Sequence, residues 1–230
     1  MSLTAAQIVA DALAIAKCPG FTTQGGRALN LVLQDLVLHR NLKVNCVSAS
    51  IAVGANTNGP FPLESDYLRT YTLFYLVNDD VYFLRPSSRI QFDAEPNKTT
   101  ISNYPYEWTS DLSAPTPASA GNLYVFPQSN TGVTLTHRYF VQRAEIASPE
   151  SSATVPWFID QDYLVQATAM RMMRMTDDSR YAGFETDCNR MLLVHLLTEG
   201  DEQQVVKEVS LDPRRFKTGG SLRPTKVQPY

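Results

Sequence analysis

The spacing of apolar residues switches twice along this 230-residue chain, and that switch limits the possible folds more than any single motif does. Near the start, Thr4 to Lys17 places Ile8, Val9, Ala12, Leu13 and Ala16 at the spacing of one helix face. Ser2 or Thr4 can cap that helix, and Cys18-Pro19-Gly20 stops it. Gly25 to Arg40 repeats the pattern with Ala28, Leu29, Val32, Leu33, Leu36 and Val37. The short link between the two predicts an antiparallel helical pair. After Leu42 the texture changes. VNCVSASIAVG alternates, GANTNGPFP is turn chemistry, and YLRTYTLFYLV, VYFLRP and IQF read as strands, with Asn78-Asp79-Asp80 as a hairpin turn. A Pro- and Ser-rich loop follows, then NLYVFP and VTLTHRYFVQRAEI as further strands. Helical spacing returns at Asp160 with Leu164, Ala167, Thr168, Met172 and Met175. Thr176-Asp177-Asp178 marks a break, and Tyr181 to Glu199 continues with Phe184, Cys188, Met191, Leu192, His195 and Leu196.

This order predicts an α+β protein. Residues 1–44 and 152–211 are expected to form a four-helix bundle-like domain. Residues 45–151 are expected to form an inserted small antiparallel β domain of about six strands. Residues 212–230 are expected to be an extended basic C-terminal arm. Pro213, Pro224 and Pro229 remove backbone donors there, and Gly219-Gly220 adds freedom. Between Leu211 and Tyr230, Arg214, Arg215, Lys217, Arg223 and Lys226 face one acid, Asp212, so a chain of net charge −3 ends in a local surplus of positive charge. Fully extended, such an arm reaches about 65–70 Å.

Composition narrows the function. At 43% hydrophobic and 19% charged, the chain is expected to fold around a core. A pI near 5.6 offers no global attraction to nucleic acid or anionic lipid. No segment reaches the roughly 20 apolar residues of a membrane helix, and the first residues lack the basic flank of a signal peptide. Cys18, Cys46 and Cys188 are far apart and are expected to be free thiols. His39, His137 and His195 lie in separate elements without metal spacing, and neither GxSxG nor GxxxxGK[ST] occurs. Gly25-Gly26 reads as a helix start, and Asp79-Asp80 and Asp177-Asp178 read as a turn and a cap. The expectation is a non-enzyme without cofactor or metal. Met170, Met172 and Met173, interleaved with Arg171 and Arg174, point all round their helix and are expected in the core or at a subunit interface.

Several short stretches recur in a telling order: FPLESDYLRT (Phe61 to Thr70), LYVFP (Leu123 to Pro127), YFVQRAEI, VPWFIDQDYLVQATAMRMMRMTDD (Val155 to Asp178) and LDPRRFK (Leu211 to Lys217). In this order they resemble the head-to-tail adaptor (connector) proteins of tailed bacteriophages, the short-tailed type above all. The likeness spans nearly the whole chain. One departure is Glu64, where the family more often places a proline before the Ser-Asp pair. The resemblance implies a structural virion protein at the head–tail junction, made in the host cytoplasm. It implies a homo-oligomeric ring, usually of twelve, whose helical domains build the ring while the β domain faces outward or toward the tail. It further implies docking of the arm on the portal protein, an extended channel through which DNA passes without specific binding, and a platform for the tail tube or nozzle protein. In the arm, Phe216, Leu222 and Tyr230 would be apolar anchors, and the five cations would meet acidic portal surface. A tail-tube or nozzle subunit is the alternative, and a DNA-binding module a more distant one.

Overall fold

The computed structural model describes residues 2–95, 97–113 and 115–199. The arm from Asp212 to Tyr230 lies outside the described residues.

Helix α1 (Ala5–Ile15) starts where the sequence predicts, because the Thr4 side chain accepts from the Gln7 amide at 3.3 Å while Gln7 reaches back to the Thr4 amide at 2.9 Å. Helix α2 (Thr22–His39) begins three residues earlier than its apolar stripe suggests. Gly25 and Gly26 therefore sit inside its first turns and are buried. A Cβ on Gly25 would stand 3.0 Å from Val9 Cγ1, and one on Gly26 would stand 2.6 Å from Glu150 Oε2. These glycines let α1 and the 149–150 loop close on α2. Helices α4 (Gln161–Met175) and α5 (Tyr181–Glu199) follow the strands, with the Asp160 carboxylate capping α4 at the Tyr163 amide, 3.0 Å away. The four helices bury one continuous cluster that includes Ile8, Leu29, Leu36, Leu164 and Met172.

Between α2 and α4 the chain is mostly antiparallel sheet. One sheet has the order β1 (Cys46–Val53), β10 (Val133–Val141), β3 (Tyr67–Val77), β4 (Asp80–Phe83). A second has the order β2 (Phe61–Pro62), β8 (Asn122–Phe126), β7 (Glu107–Asp111), β5 (Arg85–Pro86). β6 (Ile101–Ser102) and β9 (Gln128–Ser129) form a short parallel pair, and β5 also runs parallel to β7. Inward residues of the two larger sheets, such as Leu73, Leu123, Val125 and Leu135, form a core separate from the helical one. The structure has ten strands among the described residues where the sequence suggests about six, because four of them are two residues long and carry no periodic signal. The Ile90-Gln91-Phe92 stretch, expected as a strand, is instead a short helix, α3 (Arg89–Ala94). Ser88 and Gln91 form a reciprocal cap, and Phe92 alone is buried, against Tyr124 and Phe126. One anchored side chain suits a single helical turn as well as a strand.

The two cores are joined by polar contacts. The Arg69 guanidinium of β3 donates to the carbonyls of Val37 (3.2 Å), Leu38 (3.1 Å) and Arg40 (2.7 Å) and to Asn41 Oδ1 (3.1 Å). It occupies the C-terminal end of α2, where orphan carbonyls and the negative end of the helix dipole favour a cation. Buried Asn45 donates to the Val141 carbonyl at 2.7 Å and accepts from Arg143 Nε at 2.8 Å. Asn30 of α2 brackets Ile146, donating to its carbonyl at 3.0 Å and accepting from its amide at 3.2 Å. The returning loop then satisfies the start of α1, with Ala5 and Ala6 amides donating to Thr154 and Ser152 carbonyls at 2.8 and 3.1 Å.

His137 lies in the β core at 1% exposure, stacked on Tyr139 and within 2.9 Å of Thr70 Oγ1. Burial pushes its pKa down to about 4. The folded chain thus holds a neutral imidazole, while the unfolded chain protonates near pH 6.5. Stability should be full above pH 6.5 and fall as pH drops toward 4, by about 3 kcal/mol in all. Urea midpoints of the wild type and His137→Gln, measured from pH 7.5 to 4.5, check this. The variant should lose most of the slope in that window. An unchanged slope would show that other groups govern it.

Candidate interaction surface

Several of the polar residues that sequence reading weighed for chemistry have structural roles. Asp178 forms an ion pair with Arg180 at 2.6 Å and accepts from the Arg180 amide, which holds its carboxyl at about 2. Asp79 lies in the β3–β4 turn, where Asn78 and Asp79 take positive φ values of 51° and 69°. Cys18 and Cys188 are buried free thiols, and burial raises the Cys188 pKa to about 11. His39 is exposed at the end of α2, His137 is in the β core, and His195 packs edge-on against Phe158 at 4.8 Å. No cluster of three or more His, Cys, Asp or Glu side chains suited to a metal occurs among the described residues.

The helical surface is different. Of the five α4 residues expected in the core or at an interface, Met172 and Met173 are fully buried within the chain, at 0% exposure. Helices α1, α2 and α5 all pack against α4. Met170 and Arg171 are half-buried, and Arg174 is exposed. These three line an open groove of about 650 Å³ between α2, α4 and α5, together with Leu31, Met175 and Tyr181. Arg171 pairs with Asp35 across the groove, and Arg174 lies 5.8 Å from the centre of the Tyr181 ring. Burial, with Arg174 nearby, lowers the Arg171 pKa. Met175, placed by its spacing on the buried stripe, is 62% exposed at the point where α4 ends.

Helix α5 exposes Glu185, Asp187, Asn189 and Arg190 over its first half, but from Met191 to Leu197 it is apolar on both sides. Cys188, Leu192 and Leu196 face the helical core, while Leu193, Val194 and Leu197 are 51%, 58% and 45% exposed on the other face. A helical stretch without a polar face is normally covered on more than one side. The run MLLVHLL carries this signal in the sequence, but a single-stripe reading misses it. The β3–β4 hairpin shows a second apolar surface: Leu76, Val81, Tyr82 and Phe83 are all exposed.

The stretches singled out in the sequence lie largely at the joints of the fold. In FPLESDYLRT, Leu63 and Tyr67 are buried, Asp66 accepts from the Tyr139 hydroxyl at 3.0 Å, and Arg69 holds the end of α2. In VPWFIDQDYLV, Phe158 is buried between Trp157, Tyr163 and His195, and Asp160 caps α4. LDPRRFK lies outside the described residues. A family model described as SU10 adaptor protein matches residues 3–206. No curated protein matches the chain.

Proposed function

Because the chain belongs to the SU10 adaptor family of phage head-to-tail adaptors, we propose that it forms a ring at the virion's head–tail junction and docks on the portal protein through residues 212–230. The family is one of structural adaptors. The ring is inferred from α5, whose Leu193, Val194 and Leu197 are left exposed by the other described elements. Copies packed around an axis bury that face, and the groove holding Met170, Arg171 and Arg174 lies on the same helical layer. A ring of twelve, as in related adaptors, extends the portal channel for DNA and offers the tail tube or nozzle protein a platform. The arm supplies the portal contact. Its cations Arg214, Arg215, Lys217, Arg223 and Lys226 suit an acidic protein surface, and Phe216, Leu222 and Tyr230 anchor it.

Co-sedimentation with purified portal rings tests this reading. The full chain should pellet with the portal as a ring. A chain ending at Leu211 should keep its far-ultraviolet circular dichroism and melting temperature and stay in the supernatant. Undiminished co-sedimentation of the truncated chain would overturn arm docking. Pelleting with tail components alone would favour a tail-tube or nozzle subunit.

A further inference from the structure

We propose that the free edge of β4 pairs with the free edge of β1 on a second copy, so that neighbouring copies share one continued antiparallel sheet. The proposal rests on the ring reading and names a contact within it. In the sheet β1-β10-β3-β4 the two outer strands are β1 and β4. Every neighbouring pair is antiparallel, so across four strands β1 and β4 run in opposite directions. Copies related by rotation about a ring axis keep the same sense. A step from one copy to the next therefore sets β4 beside a β1 of opposite direction, the geometry an antiparallel ladder needs.

No described strand pairs with the outer edge of β4. All four residues from Asp80 to Phe83 are exposed. The Leu84 amide donates to the Leu73 carbonyl at 2.9 Å, which sets the alternation of the β3–β4 ladder. Val81 and Phe83 therefore turn their N–H and C=O groups away from β3. Folded chains usually guard such an edge with lysine, proline or a covering loop. Neither β1 nor β4 contains a lysine or a proline, and Asp80, at the turn, is their only charge.

The side chains also match in size. Partners in register share a face of the sheet, and the row Ser50, Thr136, Phe74, Phe83 runs across all four strands. On that face β4 carries exposed Val81 and Phe83, with the Phe83 ring 5.6 Å from that of Phe74. On the same face β1 offers Cys46, half-buried, and Ser48, Ser50 and Ala52, all exposed. Bulky apolar residues on one edge and small ones on the other leave room for a neighbour's β4 against β1.

Two experiments on the full chain with portal rings test this. In a Cys46→Ser background, Val81→Cys is combined in turn with Ser48→Cys, Ser50→Cys and Ala52→Cys. Under mild oxidation, at least one pair should yield covalent multimers in assembled rings, and the Val81→Cys single variant should not yield a ladder. Separately, Val81→Pro removes an outward-facing donor, and Phe83→Lys adds a charge without touching the backbone. Each should raise the concentration needed for ring formation at least tenfold while circular dichroism stays native. Rings that form normally from both variants, with no cross-link from any of the three pairs, would overturn the shared sheet and leave the ring reading standing. Normal rings that fail only to take up tail protein would assign the β4 edge to the tail and also overturn it. A wild-type chain that forms no ring on the portal would overturn the ring reading itself.

Discussion

Phe158→Ala should destabilise the chain by about 3–5 kcal/mol, the cost of emptying a large aromatic site in a packed core. Phe158 is 1% exposed. It meets three rings edge-on: Trp157 at 5.8 Å, Tyr163 at 5.5 Å and His195 at 4.8 Å. One side chain thus ties the loop entering the C-terminal helices to the first turn of α4 and to the far half of α5. Losing it should loosen α5 first, because that helix is held chiefly through α4. Urea unfolding would show the shift in midpoint, and hydrogen exchange would show faster amides in α5 than in α1. Phe158→Leu keeps part of the volume and should recover part of the loss. A change below about 1 kcal/mol for the alanine variant would mean that the site collapses easily and that Phe158 is not a keystone of the helical core.

Arg69→Ala should cost about 2–3 kcal/mol, since hydrogen bonds from a charged donor are the strong ones and three carbonyls would be left to water or to nothing. Burial lowers the Arg69 pKa, which fits a guanidinium partly withdrawn from solvent between α2 and the ring of Phe140, 4.8 Å away. Arg69→Lys separates charge from shape. The ammonium keeps the charge at the helix end but lacks the planar fork that reaches Val37, Leu38, Arg40 and Asn41 together. It should restore less than half of the loss. Unfolding midpoints give the energies. Faster amide exchange across residues 37–45, with α1 unchanged, would tie the effect to the joint between helices and sheet. If lysine restores full stability, the charge at the helix end suffices and the fork geometry is incidental.

The longer helix and strand segments were legible because their signals are local. Ile8, Val9, Ala12 and Leu13 mark the buried face of α1 by spacing alone, and the Thr4 cap is written three residues before its partner Gln7. The Asn78-Asp79 turn is likewise a matter of adjacent residues that tolerate positive φ. The family is legible in the order of short stretches, most of which hold the joints of the fold. What they hold was not legible. Asp66 finds Tyr139, Asn30 finds Ile146 and Arg69 finds the end of α2 across gaps that no periodicity spans.

The interaction surfaces divide in the same way. The methionine run marks α4 as unusual, yet spacing alone does not tell fully buried Met172 and Met173 from half-buried Met170 or exposed Met175. That depends on which neighbours pack against each side of the helix and on where the helix ends. The sequence by itself determined where the longer helices and strands lie, how α1 and α4 begin, and which family the chain resembles. All of these follow from bonded geometry and spacing over a few residues. Only the tertiary structure decided which apolar residues enter the chain's own core and which stay exposed: among the described residues, α5 keeps Leu193, Val194 and Leu197 outside, and β4 is an outer strand of its sheet. Burial is a property of contacts between distant segments, and an exposed edge exists only once all the other strands have been placed.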